Sequence, residues 1–155
     1  MQNEAAEELL NAAMDMMADF RDDEAEELLE KLIARLKAGM NAQPDDADRY
    51  YYWGRALTLL EEQEQALLRF EKALQIQPEH EGSLWETATL LLYELDRPEG
   101  AKAIIEQKLL VIQPGYPLYE EALAASETLI RLKTAKPAPQ ESGDDSTDEN
   151  TELPM

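Results

Sequence analysis

Three Gln-Pro pairs divide this chain: Gln43-Pro44, Gln77-Pro78 and Gln113-Pro114, with prolines 34 and 36 residues apart. Two of them close nearly the same phrase, Leu74-Gln75-Ile76-Gln77-Pro78 and Leu110-Val111-Ile112-Gln113-Pro114. Proline removes a backbone donor and disfavours helix in the residue before it, so each pair stops a helix. Apolar helical phrases stopped at such an interval are the mark of stacked helical repeats, in which no unit buries its apolar face alone.

The composition agrees with helix. Glycine is scarce, at 6 residues of 155, and β-branched residues do not cluster. There is no cysteine, which excludes disulfides, thiolate metal sites and a cysteine nucleophile. No run of apolar residues reaches the length of a membrane span, and Met1-Gln2-Asn3-Glu4 lacks the basic start of a secretory signal. A cytoplasmic protein is the expectation, although a trimmed exported domain would read the same way. The net charge is −20, and segments 1–46, 47–134 and 135–155 are each acidic. Solubility accounts for such spread acidity, and a basic partner is the functional alternative. Nucleic acid and anionic membranes are poor partners, because phosphate binding needs clustered Lys and Arg.

Apolar periodicity predicts helices over 4–20, 23–40, 47–60, 63–76, 82–95, 98–112 and 117–133. Asp23 with Glu26, and Asp96 with Glu99, fit capping boxes; Asp45 or Asp46 starts the third helix. Pro98 and Pro117 are suited to a first helical turn. From Ala135 the pattern fails: Lys136-Pro137-Ala138-Pro139 breaks helix and the acidic run 142–149 has no apolar face. The expected division is a helical domain over 1–134 and an acidic disordered tail over 135–155.

Residues 47–80 resemble a tetratricopeptide repeat (TPR), a 34-residue helix-turn-helix. Gly54, Ala66, Phe70, Ala73 and Pro78 stand at the family's eighth, twentieth, twenty-fourth, twenty-seventh and thirty-second places, while Tyr50, Trp53 and Leu57 replace its aromatic-Leu-Tyr set. Gly54 and Ala66 let the two helices approach, Phe70 fills the space between them, and Ala73 leaves room for the next unit. The flanking units match less closely. In 6–44, Leu9, Ala12, Ala13, Met16 and Ala25 fit, but the second helix is about two turns too long. In 81–114, Leu84, Ala88, Leu91 and Pro114 fit, with two extra residues assigned to the Leu95–Gly100 turn. The resemblance implies an all-α, right-handed TPR superhelix of about three repeats, closed by a C-terminal capping helix.

It also implies where a partner sits, since the first helices of TPR repeats line a concave groove. A second stripe beside the core stripe holds Leu10, Met14 and Met17 on the first helix. It continues through Tyr51, Arg55, Thr58 and Leu59 on the third and Trp85, Thr89, Leu92 and Tyr93 on the fifth. An aromatic, Met-rich trough suits an apolar or amphipathic peptide, and Arg55 near its middle suits a carboxylate. Because the extra residues are assigned outside the groove-lining helices, the trough is expected to be continuous. The bland alternative is that the stripe packs on the closing helix or on a second copy of the chain, as a homodimer. The Lys/Asn clamp of TPR co-chaperones is absent. Counted from the first repeat its places hold Leu10, Met14, Tyr52, Gly82 and Glu86; counted from the second, Tyr51, Arg55, Glu86, Leu118 and Ala122.

No catalytic chemistry is legible. His80 is the one histidine and reads as a solvated loop residue, which argues against zinc. Asp22-Asp23 and Asp45-Asp46 read as helix starts rather than metal ligands. Phosphate loops and nucleophile elbows are missing, so no cofactor and no enzyme are expected. The reading is a non-catalytic TPR adaptor or scaffold that binds a protein or peptide partner in its concave groove. Small size and acidity are also similar to type III secretion translocator chaperones, without that family's Gly-Ala-Cys type segments. The Pro44-Asp45-Asp46-Ala47 entry is similar to TPR modules of cytochrome c maturation. A self-associating scaffold is the third class.

Overall fold

A computed structural model describes the backbone of residues 2–135, with side chains from residue 4. Every regular element among these residues is helical. Helix α1 (Gln2–Ala18) and α2 (Asp22–Ala38, ending in a 3-10 turn at Gly39–Asn41) form a first hairpin. Helices α3 (Ala47–Leu59) and α4 (Gln63–Ile76) form a second. In the third, α5 (Glu81–Thr89) runs into a π-helical turn at Leu90–Glu94. Its partner α6 starts at Pro98–Ile104, passes through a π-helical turn at Ile105–Leu109 and ends at Leu110–Ile112. Helix α7 (Pro117–Ala135) closes the array against α6. The tail expected from Ala135 lies, from residue 136 on, outside the described residues.

The second hairpin is built on one close approach. A Cβ at Gly54 would stand 2.5 Å from Cε1 of Phe70, so the α3 backbone lies directly against the Phe70 ring. Phe70, Ala66 and Ala73 are completely buried. On the other side of α3, Trp53 stacks on Tyr50, with ring centroids 6.2 Å apart. The Trp53 ring also takes the Arg69 guanidinium at 4.0 Å and the Lys37 ammonium at 5.7 Å, tying α4 and α2 to α3. Arg49 is buried among the same helices and donates to the Leu36 carbonyl and to Oε1 of Gln43.

The turns within the hairpins share one geometry. Phe20, Glu61 and Asp96 all have positive φ, at 60°, 61° and 52°. At the first two, the following amide reaches back to the helix, Arg21 N to Met16 O and Glu62 N to Leu57 O. With Phe20 N to Met17 O and Glu61 N to Thr58 O, these are Schellman closures. The two expected capping boxes do not form: α2 and α6 are preceded by Arg21 and Arg97 with no side-chain cap, and Asp96 is the left-handed turn residue instead. Asp46 does cap α3, its Oδ1 accepting from Asp48 N at 3.1 Å.

The third hairpin accommodates its extra length within its helices, not in the Leu95–Gly100 turn. Ala88 follows Gly54 by 34 residues, but Ala101 and Ile105 follow Ala66 and Phe70 by 35, and Leu109 follows Ala73 by 36. One residue enters between Ala88 and Ala101 and a second between Ile105 and Leu109. These are the places of the π turns, where Leu95 N bonds Leu90 O and Leu110 N bonds Ile105 O. A π turn takes up one inserted residue without breaking a helix, so Ala101, Ile105 and Leu109 all return to full burial. One of the insertions therefore lies in α5, a helix of the predicted trough.

The core has two parts. The first joins α1 to α4 around Leu10, Leu29, Trp53 and Phe70; the second joins α5, α6 and α7 around Leu84, Ile105, Leu109 and Tyr119. The α5 π turn links them: Leu90 is buried in the first part, Leu92 in the second, and Leu91 packs against both.

Candidate functional site

The predicted stripe divides into three groups in the structure. Leu10 and Leu92 are core residues, 0% and 3% exposed, and present nothing to a partner. For Leu92 the cause is the π turn, which turns the side chains after Leu90 away from the register that a straight helix would keep. Met17 and Leu59 leave the trough for another reason: they line a cavity at the turn end of the array together with residues of α2. The remaining group, Met14, Tyr51, Arg55, Thr58, Trp85, Thr89 and Tyr93, stays at least partly exposed on α1, α3 and α5.

Within that group Tyr51 is the organising side chain. Its ring packs on Phe70 at 6.2 Å, on Tyr52 at 5.1 Å and on the His80 imidazole at 5.1 Å. Gly82 at the start of α5 admits it, since a Cβ there would meet Tyr51 Cε1 at 2.8 Å. The Arg55 guanidinium, one turn on, lies over the Tyr51 ring at 5.7 Å. Burial raises the Tyr51 phenol, and the Arg55 charge opposes that rise.

Glu86, which the sequence places only among the unmatched clamp positions and not in the stripe, lies one turn after Gly82 on α5. Burial pushes its carboxyl above the ordinary value of 4.5, and the Arg55 charge pulls it back. Arg55 thus already has an internal carboxylate in its field, though no ion pair within 4 Å joins them among the described residues. Trp85, the next residue back, is half covered. Its ring stands 5.2 Å from that of Tyr119 on α7, and the Tyr119 hydroxyl donates to Glu81 Oε2 at 2.5 Å. The closing helix therefore packs on Trp85, as the bland alternative had it, but leaves Tyr93 61% exposed.

His80 also departs from its expectation as a solvated residue: its side chain is 11% exposed. Nδ1 accepts from the Ser83 amide at 3.1 Å and so caps α5. Nε2 then carries the proton and donates to Asp48 Oδ1 at 2.6 Å. The signal was available, because a polar residue just after Gln77-Pro78 and before an apolar period occupies the N-cap place. On α1, Glu7 accepts from the Tyr52 hydroxyl at 3.1 Å; burial and this bond push the Tyr52 phenol up to about 12. Among the described residues no group of three or more His, Cys, Asp or Glu is arranged to hold a metal ion, and no helix is long and apolar enough to cross a membrane.

The same helical arrangement recurs in a known structure. The MamA RS-1 ArsTM double mutant, a TPR-containing protein, superimposes with a TM-score of 0.60 at 19% sequence identity, over 81% of this chain. The fold is a TPR-like, all-α helical repeat. At that identity the likeness concerns the fold alone, and the chain spans 66% of that neighbour. No family model matches the sequence, and no curated protein matches it.

Proposed function

We propose that the protein is a non-catalytic interaction scaffold that holds a protein or peptide segment against the face formed by α1, α3 and α5. A TPR-like repeat supports the general role. The observation that carries the finer reading is the Tyr51–Arg55–Glu86 group: a cation over an aromatic ring acts on a half-buried carboxylate, and among the described residues neither charge closes an ion pair. Such a group fits a partner that presents a polar backbone or side-chain pair beside apolar residues. Met14 and Tyr93, 44% and 61% exposed, supply the apolar contacts. Leu10, Leu92, Met17 and Leu59 drop out of the proposed contact set, and Glu86 enters it.

A photo-crosslinking amino acid at Tyr93, with a second at Val111 on α6 as the comparison, tests the reading. Val111 is 69% exposed but belongs to a second helix of a hairpin. The same partner segment should crosslink from Tyr93 and not from Val111. Equal labelling from both positions contradicts a first-helix binding face.

A further inference from the structure

A second surface shares no lining residue with the Tyr51–Arg55–Glu86 group. A cavity of about 310 Å3 opens at the turn end between the first and second hairpins. Its apolar lining includes Met17, Leu29 and Leu59, and three carboxylates, Asp22, Glu26 and Glu61, also line it. That volume is at the lower end of the roughly 300–1,000 Å3 typical of ligand pockets. All three carboxylates are exposed. The ion pairs of the described residues use other acids, such as Glu24, Glu27 and Glu64, and none of these three.

Phe20 stands in the chain between the lining residues Met17 and Asp22. It is 92% exposed at φ 60°, a left-handed position where a bulky residue is an outlier. Neither burial nor backbone preference places a phenylalanine there. A strained, solvated aromatic on the turn that connects two lining residues of a cavity with apolar and acidic side chains is a costly arrangement for folding, and a contact outside the chain gives it a use.

We propose that this turn end docks a cationic amphipathic segment: one apolar side chain enters the cavity beside Met17 and Leu59, flanking Lys or Arg meet Asp22, Glu26 and Glu61, and Phe20 covers the apolar face. Charge selects this occupant over a second copy of the chain. A chain of net charge −20 would bring carboxylates against carboxylates at this rim. The proposal does not rest on the reading of the α1, α3 and α5 face.

The test titrates the full chain with a synthetic amphipathic helix of leucine and lysine, and with an isomer of the same composition whose leucines are scattered around the helix. Calorimetry gives the affinity and amide NMR the location. The amphipathic peptide should shift amides around Met17, Ala25 and Leu59, bind more weakly as salt rises, and outbind its isomer. Phe20→Gly, which relieves the left-handed strain, should weaken binding about tenfold while raising the melting temperature, as expected for loss of an interface anchor. Glu26→Lys with Glu61→Lys should weaken it further. Equal binding of the two isomers overturns the proposal, as do shifts confined to Tyr51, Arg55 and Tyr93. Undiminished binding by Phe20→Gly also overturns it. So does a dimer in light scattering that Phe20→Gly dissolves, because the occupant is then a second copy.

Discussion

Nε2 of His80 lies 2.6 Å from Oδ1 of Asp48, joining the N-terminus of α5 to the first turn of α3. The same ring caps α5 through Nδ1 and packs on Tyr51 at 5.1 Å. One imidazole thus links two successive hairpins at the point where Tyr51 supports Arg55. His80→Ala should destabilise the fold by about 1–2 kcal/mol, the range for loss of an N-cap, and should loosen α5 against α3. Chemical denaturation gives the first quantity and amide exchange over 81–89 the second. His80→Asn, which retains a capping oxygen but not the reach to Asp48, should fall between.

Gly54 and Phe70 set the separation of α3 and α4. Gly54→Ala places a Cβ 2.5 Å from the Phe70 ring, and overpacking of this kind costs about 1–3 kcal/mol. Phe70→Leu in the same chain should recover part of that loss, so the double variant will be more stable than the two single losses predict. Strict additivity in a double-mutant cycle would show that the two residues do not share the contact.

Glu86 carries a pH dependence. Its carboxyl is raised in the folded chain, so the folded state holds the proton more tightly than the unfolded chain does. Its contribution to stability is therefore complete below the ordinary value of 4.5 and is lost as pH rises through the raised value. Glu86→Gln should be more stable than the parent at neutral pH, and the difference should close in acid. Replacing Arg55 by Gln removes the opposing charge and should widen the pH range over which Glu86 costs stability. Denaturation midpoints for the three proteins across pH 3–8 provide the check.

Glu61 is the left-handed residue that closes α3, at φ 61°. Glu61→Gly should stabilise the protein by ~0.5–1 kcal/mol, because relief of ~1–2 kcal/mol of left-handed strain exceeds the added freedom of the unfolded chain. A lowered melting temperature would show that the Glu61 side chain contributes more than its backbone costs.

Much of the architecture was legible because the repeat writes its own spacing. Gly54, Ala66, Phe70 and Ala73 specify the close approach of α3 and α4, and all four are buried. The Gln-Pro pairs mark the ends of α4 and α6. The extra residues of the third unit escape periodicity for a physical reason: a run such as Leu90-Leu91-Leu92 is apolar in every register, so the pattern cannot show where a π turn enters. Aligning Ala101, Ile105 and Leu109 with Ala66, Phe70 and Ala73 locates both insertions by arithmetic. The site was less legible because its decisive interactions, through contact or through charge, join positions far apart in the chain. Asp48 to His80, Arg55 to Glu86 and Trp85 to Tyr119 all depend on how the hairpins stack. Single-helix periodicity gives no access to that stacking, and so it leaves Leu10 on the surface and His80 in solvent.

The most direct test of the account titrates the partner segment crosslinked at Tyr93 into the parent protein, Arg55→Glu and Tyr93→Ala by calorimetry, with circular dichroism confirming an unchanged fold. Weakening by about tenfold or more in both variants, without loss of helix, is the predicted result. Affinity unchanged from the parent in both would contradict a binding face built on Tyr51, Arg55 and Glu86.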